Sequence, residues 1–226
     1  MDEYCISDIS SQFRRMLRRV ARLDADGVIT TYTLTTNDAE KWRAVLPADR
    51  CVTGSLEYMR ICEAQGGYPA RLFVVDDGRP LVAYPYFRRP SGALPFAGAG
   101  AEAWADTFTP EYCGPVALNG RLSPTGEALD FPGLFARHCE EEGIVAEFAH
   151  LNPWDVSADL LEPGCVQVDR EIVYADLTLS PEEIWAKSLT HEGRRLYKQG
   201  QKTGVVVRYG KSVDDVREFH RLYELT

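Results

Sequence analysis

One turn constrains this chain more tightly than any other feature: Asp76-Asp77-Gly78 separates Arg71 to Val75 from Leu81 to Phe87. Both flanking runs are rich in β-branched and aromatic residues, and an Asp-Gly signal between such runs makes an antiparallel hairpin. The hairpin sits inside a definite order of elements. A strand over Val28 to Leu34 precedes it, followed by a helix after Asn37 and a second helix from Ser55 to Gln65, stopped by Gly66-Gly67. After it come a loop-rich stretch with Gly98, Gly100 and Thr109 to Pro115, a helix from Phe131 to Glu142 closed by Gly143, and a strand from Ile144 to Ala149. That order predicts an α/β (α+β) body in which a mixed sheet is flanked by helices on both faces.

Leu161-Glu162-Pro163-Gly164 forms a turn cluster, which predicts a boundary near residue 166. Beyond it, Glu171 to Leu177 has the alternation of a short strand, and Ser180-Pro181-Glu182-Glu183 opens a helix with a capping box and a proline in its first turn. Arg194, Lys198 and Lys202 then lie four apart, so on a helix they share one stripe, with Arg195 beside it. Thr203-Gly204 ends that helix, Val205 to Tyr209 reads as a second strand, and Ser212 to Asp215 caps a last helix. Val216, Phe219, His220 and Tyr223 share a face of it, and no Gly, Asn or Pro closes it before Thr226. The expectation is three parts: a helical arm over 1–27, a first domain over 28–166, and an incomplete second domain over 167–226. Two strands and two helices bury their apolar faces poorly alone, so 167–226 is expected to pack back or to exchange with a second copy as a homo-oligomer.

Hydrophobic residues make up 45% of the 226, which suffices for a packed core. No apolar run reaches the roughly 18 residues of a membrane span, and Met1-Asp2-Glu3-Tyr4-Cys5 lacks the basic start of a secretory signal. A cytoplasmic location is therefore expected. The six cysteines are dispersed, with neither a Cys-x-x-Cys pair nor a His at zinc-like spacing, so they read as reduced thiols and no metal site is expected. His138 and Cys139 are adjacent, but neighbours on a helix point about 100° apart, which favours packing over a nucleophile pair.

A net charge of -9 argues against general nucleic-acid binding, yet seven Lys or Arg and one Glu lie from Lys187 to Lys211. Arg14, Arg15, Arg18, Arg19 and Arg22 make a second basic cluster on the N-terminal helix. Local basic surfaces on an acidic body suit selective binding of a phosphate-bearing ligand. Neither Gln199-Gly-Gln-Lys-Thr-Gly204 nor Ala97-Gly-Ala-Gly-Ala101 has the spacing of a phosphate-binding glycine loop.

Three stretches carry a resemblance: Tyr174-Ala-Asp-Leu-Thr-Leu-Ser-Pro-Glu-Glu-Ile-Trp185, Arg194-Arg195 to Lys202-Thr-Gly-Val205, and Val216-Arg-Glu-Phe-His-Arg-Leu-Tyr223. Weaker echoes are Tyr84-Pro85, Thr109-Pro-Glu-Tyr112-Cys-Gly114-Pro115 and His150-Leu-Asn-Pro153. Together they resemble the FemAB family, the aminoacyl-tRNA-dependent peptidyltransferases of the GNAT-like superfamily that extend peptidoglycan bridges. The resemblance implies a GNAT-like mixed sheet followed by the beginning of a second GNAT-like domain. It further implies an acyltransferase forming an amide between an activated amino acid or acyl group and an amine acceptor such as a cell-wall precursor or small metabolite. Aminoacyl-tRNA or acyl-CoA would be the donor substrate, with no bound cofactor. Arg194, Arg195, Lys198 and Lys202 become candidate phosphate contacts, and Tyr112 and Gly114 candidate substrate contacts on a loop over the cleft. The catalytic residue stays open, His150 being the best-placed imidazole and the acidic residues too many to separate. Two other readings remain: a non-catalytic binding module completed by another chain, and a conventional acyl-CoA N-acyltransferase.

Overall fold

The computed structural model describes residues 29–118, 129–154, 160–162, 164–169 and 171–225. The basic N-terminal helix expected over 1–27 lies outside them. The chain divides into two compact units, Met1–Gln167 and Val168–Thr226.

In the first unit the described residues form one six-stranded mixed sheet, ordered β1-β2-β3-β4-β6 with β5 also on β3. The strands are β1 Thr30–Thr35, β2 Ala70–Asp76, β3 Pro80–Pro90, β4 Ala105–Phe108, β5 Val116–Ala117 and β6 Ile144–Phe148. The helices are α1 Ala39–Val45, α2 Leu56–Gly66 and α3 Phe131–Glu142. β2 and β3 make the hairpin, in register from Ala70 opposite Phe87 to Val75 opposite Val82, with a bulge at Val75/Asp76. Its turn holds together locally: the Asp76 carboxylate accepts the N–H of Gly78 at 2.7 Å, and Gly78 takes φ 103°, a value only glycine adopts cheaply.

The one parallel pairing described, β4 with β6, follows from connectivity. Antiparallel neighbours need only a turn, whereas parallel ones need a crossover, here supplied by α3. Asp130 caps α3 by accepting the N–H of Gly133 at 3.0 Å, and Gly143 stops it at φ 65°. Ser55 and Gly67 do the same for α2.

Helices cover the sheet on both faces. Trp42, Leu46, Leu56 and Met59 pack on Leu72, Val74, Ala83 and Phe87, while Phe131, Phe135 and Cys139 pack on Phe73, Val75, Tyr84 and Tyr86. Successive residues of β2 thus enter opposite cores. This is why β2 and β3 read as nearly continuous apolar runs rather than alternating ones.

The second unit corrects two sequence expectations. Glu171 to Leu177 and Val205 to Tyr209 are not strands, and among the described residues they join no ladder. Val206, Val207 and Tyr209 are exposed. Strand preference largely expresses packing against neighbours, so an alternating segment without a paired edge has nothing to hold it extended. The helices of this unit do form, because their stabilising bonds are local. Ser180 and Glu183 close a capping box on α4, Pro181–Glu183, which continues into a wider π-type turn over Ile184–Ser188. Thr190 caps α5, His191–Lys202, and Ser212 with Asp215 makes a second box on α6, Val213–Tyr223. Trp185 sets its ring edge against Tyr197 at 5.2 Å.

Candidate functional site

Open sheets offer ligands a crevice outside the carboxyl ends of their parallel strands. Here β4 and β6 end together, and the loops leaving them are tied to each other. Thr109 donates its N–H to the Phe148 carbonyl at 3.1 Å, and Cys113 donates its own to His150 at 2.8 Å. The Thr109 hydroxyl accepts the His150 N–H at 2.9 Å and donates to the Cys113 carbonyl at 3.2 Å. Both 109–115 and 149–153 are therefore held by backbone bonds rather than by side-chain packing alone.

Tyr112 rides on this loop. It is the one non-glycine residue with positive φ among the described residues, at 56°, a conformation that costs a bulky residue about 1–3 kcal/mol. Its carbonyl accepts the Thr53 hydroxyl at 3.1 Å, and its exposed ring lies 5.4 Å from that of His150. Gly114 is buried next to Cys113. The structure thus brings Tyr112 and Gly114 together with His150, Thr109 and Cys113.

Beneath these loops lies a carboxyl group that no sequence motif singles out. β6 carries one extra residue against β4, since Ala105 faces Ile144 but Asp106 faces Ala146. The shift turns Glu147 to the α3 side of the sheet, the same side as Ile144. The Tyr84 hydroxyl donates to Glu147 Oε1 at 2.5 Å. Tyr84 is wholly buried, and Glu147, an exposed residue on the edge strand β6, reaches it through one carboxylate oxygen. Burial holds the Glu147 carboxyl above its ordinary range while the Tyr84 hydrogen bond pulls the other way. Desolvation first, then the Glu147 charge, drives the Tyr84 phenol well above its usual value. Thr107, directly across from Glu147 on β4, is also buried, and its hydroxyl has no hydrogen-bond partner among the described residues. A carboxyl that retains its proton to higher pH, at the carboxyl ends of β4 and β6, is a candidate for proton transfer.

His138 and Cys139 belong to the core instead. The His138 ring stacks on Phe73 at 4.8 Å and its Nε2 meets the Tyr86 hydroxyl at 2.7 Å, while burial pushes the Cys139 thiol up to about 12.

The four basic candidates lie in the second unit, on α5. Arg195 is bound twice to Glu192, at 2.8 and 2.5 Å. Arg194 donates to the carbonyls of Trp185 and Ala186 at 3.0 and 3.3 Å, satisfying groups that the end of the preceding turn leaves open. Lys198 and Lys202 form no ion pair among the described residues. Spacing showed these four basic residues but not the partners that occupy two of them, Arg194 and Arg195.

Among the described residues no cluster of His, Cys, Asp or Glu gathers that could hold a metal ion, and no helix is long and apolar enough to cross a membrane. Compared with protein-family models, with curated proteins and with solved structures, the chain matches none.

Proposed function

We propose that this chain is a Fem-type acyltransferase on a GNAT-like layer, forming an amide between an activated amino acid and an amine acceptor in the cytoplasm. The observation that carries the reading is the Glu147–Tyr84 pair at the carboxyl ends of β4 and β6, beside the tied loops of Tyr112 and His150. An amine attacks an activated ester only after shedding a proton, and its base must sit where the acceptor is held. Glu147 supplies that base, and Tyr84 fixes its carboxylate. The element order, two helices between β1 and β2 and a helical crossover between β4 and β6, supports the GNAT-like reading. Lys198 and Lys202 favour a donor bearing phosphates, and aminoacyl-tRNA over a small acyl ester. Incubation with radiolabelled aminoacyl-tRNA or acyl-CoA and an amine-bearing cell-wall precursor, followed by mass spectrometry, tests it. Label in an amide product supports the reading, and no transfer from either donor ends it.

The lysines give a separate prediction. Lys198→Ala with Lys202→Ala should weaken aminoacyl-tRNA binding and lower the slope of log affinity against log salt by about 1.5, two phosphate contacts being lost at roughly 0.7–0.9 each. Arg195→Ala should change the slope less, because Glu192 already engages that guanidinium. Filter binding at several salt concentrations gives both slopes, and an unchanged one for the lysine pair would leave α5 a solvated face.

A further inference from the structure

Cys113 sits in the loop that carries Tyr112, while Cys51 sits in the turn before α2. They are distant in sequence, yet the Cys113 and Cys51 thiols act on each other electrostatically, and the Thr53 hydroxyl, 3.7 Å from Cys51 Sγ, ties the two loops together. Thr53 also donates to the Tyr112 carbonyl at 3.1 Å, so both cysteines belong to segments already bound to each other. The Cys51 turn is pressed close to the sheet: a Cβ added at Gly54 would stand 2.7 Å from Pro85 Cγ and 3.1 Å from Cys51 Sγ. Trp42 fixes it further by donating its indole N–H to the Gly54 carbonyl at 3.1 Å. Two thiols on segments tied together by Thr53 can form a bond at the covalent S–S distance of about 2.05 Å once the loops close the gap between them.

The geometry points to Cys51 and Cys113 as a disulfide-forming pair that takes two electrons' worth of oxidation from a low-molecular-weight disulfide and locks the Tyr112 loop to the turn before α2. The two sulfurs have unequal access, which sets the order of steps. Cys51 is half-buried and Cys113 is buried. The Cys51 thiolate therefore attacks the small disulfide, forming a mixed disulfide and releasing one small thiol, which carries away the proton. Cys113 then attacks Cys51 Sγ, forming the internal bond and expelling the second small thiol with the second proton. In the reduced protein the interaction with the Cys51 side chain, followed by burial, holds the Cys113 thiol well above its ordinary range. A mixed disulfide on Cys51 carries no charge and accepts weakly, so the first step removes the main restraint on the second.

Oxidised glutathione is the probe, applied to the reduced full chain over a range of oxidised-to-reduced ratios, with acid quenching, alkylation and peptide mass spectrometry. Exposed Cys165 reports the oxidant's intrinsic reactivity. The expected product is a Cys51–Cys113 cross-linked peptide pair that forms at ratios leaving Cys165 mostly a thiol. In Cys113→Ala, glutathione should accumulate on Cys51; in Cys51→Ser, Cys113 should remain a thiol. A wild-type protein in which Cys51 ends as a mixed disulfide or a thiol, without the cross-link, overturns the proposal. So does direct glutathionylation of Cys113 in folded Cys51→Ser, its fold checked by circular dichroism.

Discussion

Trp42→Ala is expected to cost about 3–5 kcal/mol of unfolding free energy, the range for emptying a buried aromatic site. Trp42 is fully buried on α1, in the core beside Leu46, Leu56, Met59 and the inward residues of β2 and β3. Its removal also leaves the Gly54 carbonyl without its donor, a further cost of about 1 kcal/mol. Domains of this kind hold only about 5–15 kcal/mol in total, so the variant should be marginal. Trp42→Phe keeps most of the volume and loses the hydrogen bond, and should fall between the two. Urea unfolding at fixed pH measures all three. A loss below about 1.5 kcal/mol for the alanine would mean that α1 does not seal that face of the sheet.

On the proposed acyltransferase reading, Glu147→Gln should lower the rate of amide formation by about 10²–10⁴-fold, the usual worth of a positioned proton acceptor, while donor binding stays unchanged. The amide still accepts the Tyr84 hydroxyl, so the surrounding core should survive. Tyr84→Phe provides the complementary test through pH. The Tyr84 hydrogen bond lowers the Glu147 carboxyl against the upward push of burial. Without it the carboxyl should rise further, and the acid limb of the rate profile should move to higher pH. The same sign governs stability: a carboxyl raised on folding favours the folded state at low pH, and that contribution is lost as pH climbs through the folded value. Glu147→Gln should therefore flatten a decline in wild-type stability on going upward from about pH 4. Activity of Glu147→Gln within threefold of wild type would send the proton elsewhere.

What could be read from the chain divides by range. The hairpin turn, the caps at Ser180 and Ser212, and the stop at Gly143 were legible because each rests on bonds between residues a few positions apart. Glu171 to Leu177 and Val205 to Tyr209 have equally strand-like patterns, but a strand is completed only by a neighbour that sequence spacing does not supply. Glu147 was hidden by the extra residue in β6, since strict alternation from Ile144 puts position 147 on the opposite face. Tyr84 carried only the weak Tyr84-Pro85 echo. Tyr112 was visible as a loop aromatic, but its positive φ depends on bonds to Thr53 and to the His150 segment.

The unequal reach of the sheet's pairings also sets an order of assembly. β2 and β3 meet across a turn of a few residues, and β3 goes on to pair with β4 at one end and β5 at the other. β4 and β6 can meet only after the whole connection over 109–143 has been drawn in, and that closure carries an entropic cost before any contact repays it. The hairpin is thus the natural seed of the first unit, and the strand ends beneath Tyr112 and His150 are the last part gathered. The late-forming seam is also the part that can open without disturbing the rest, through local breathing rather than global unfolding.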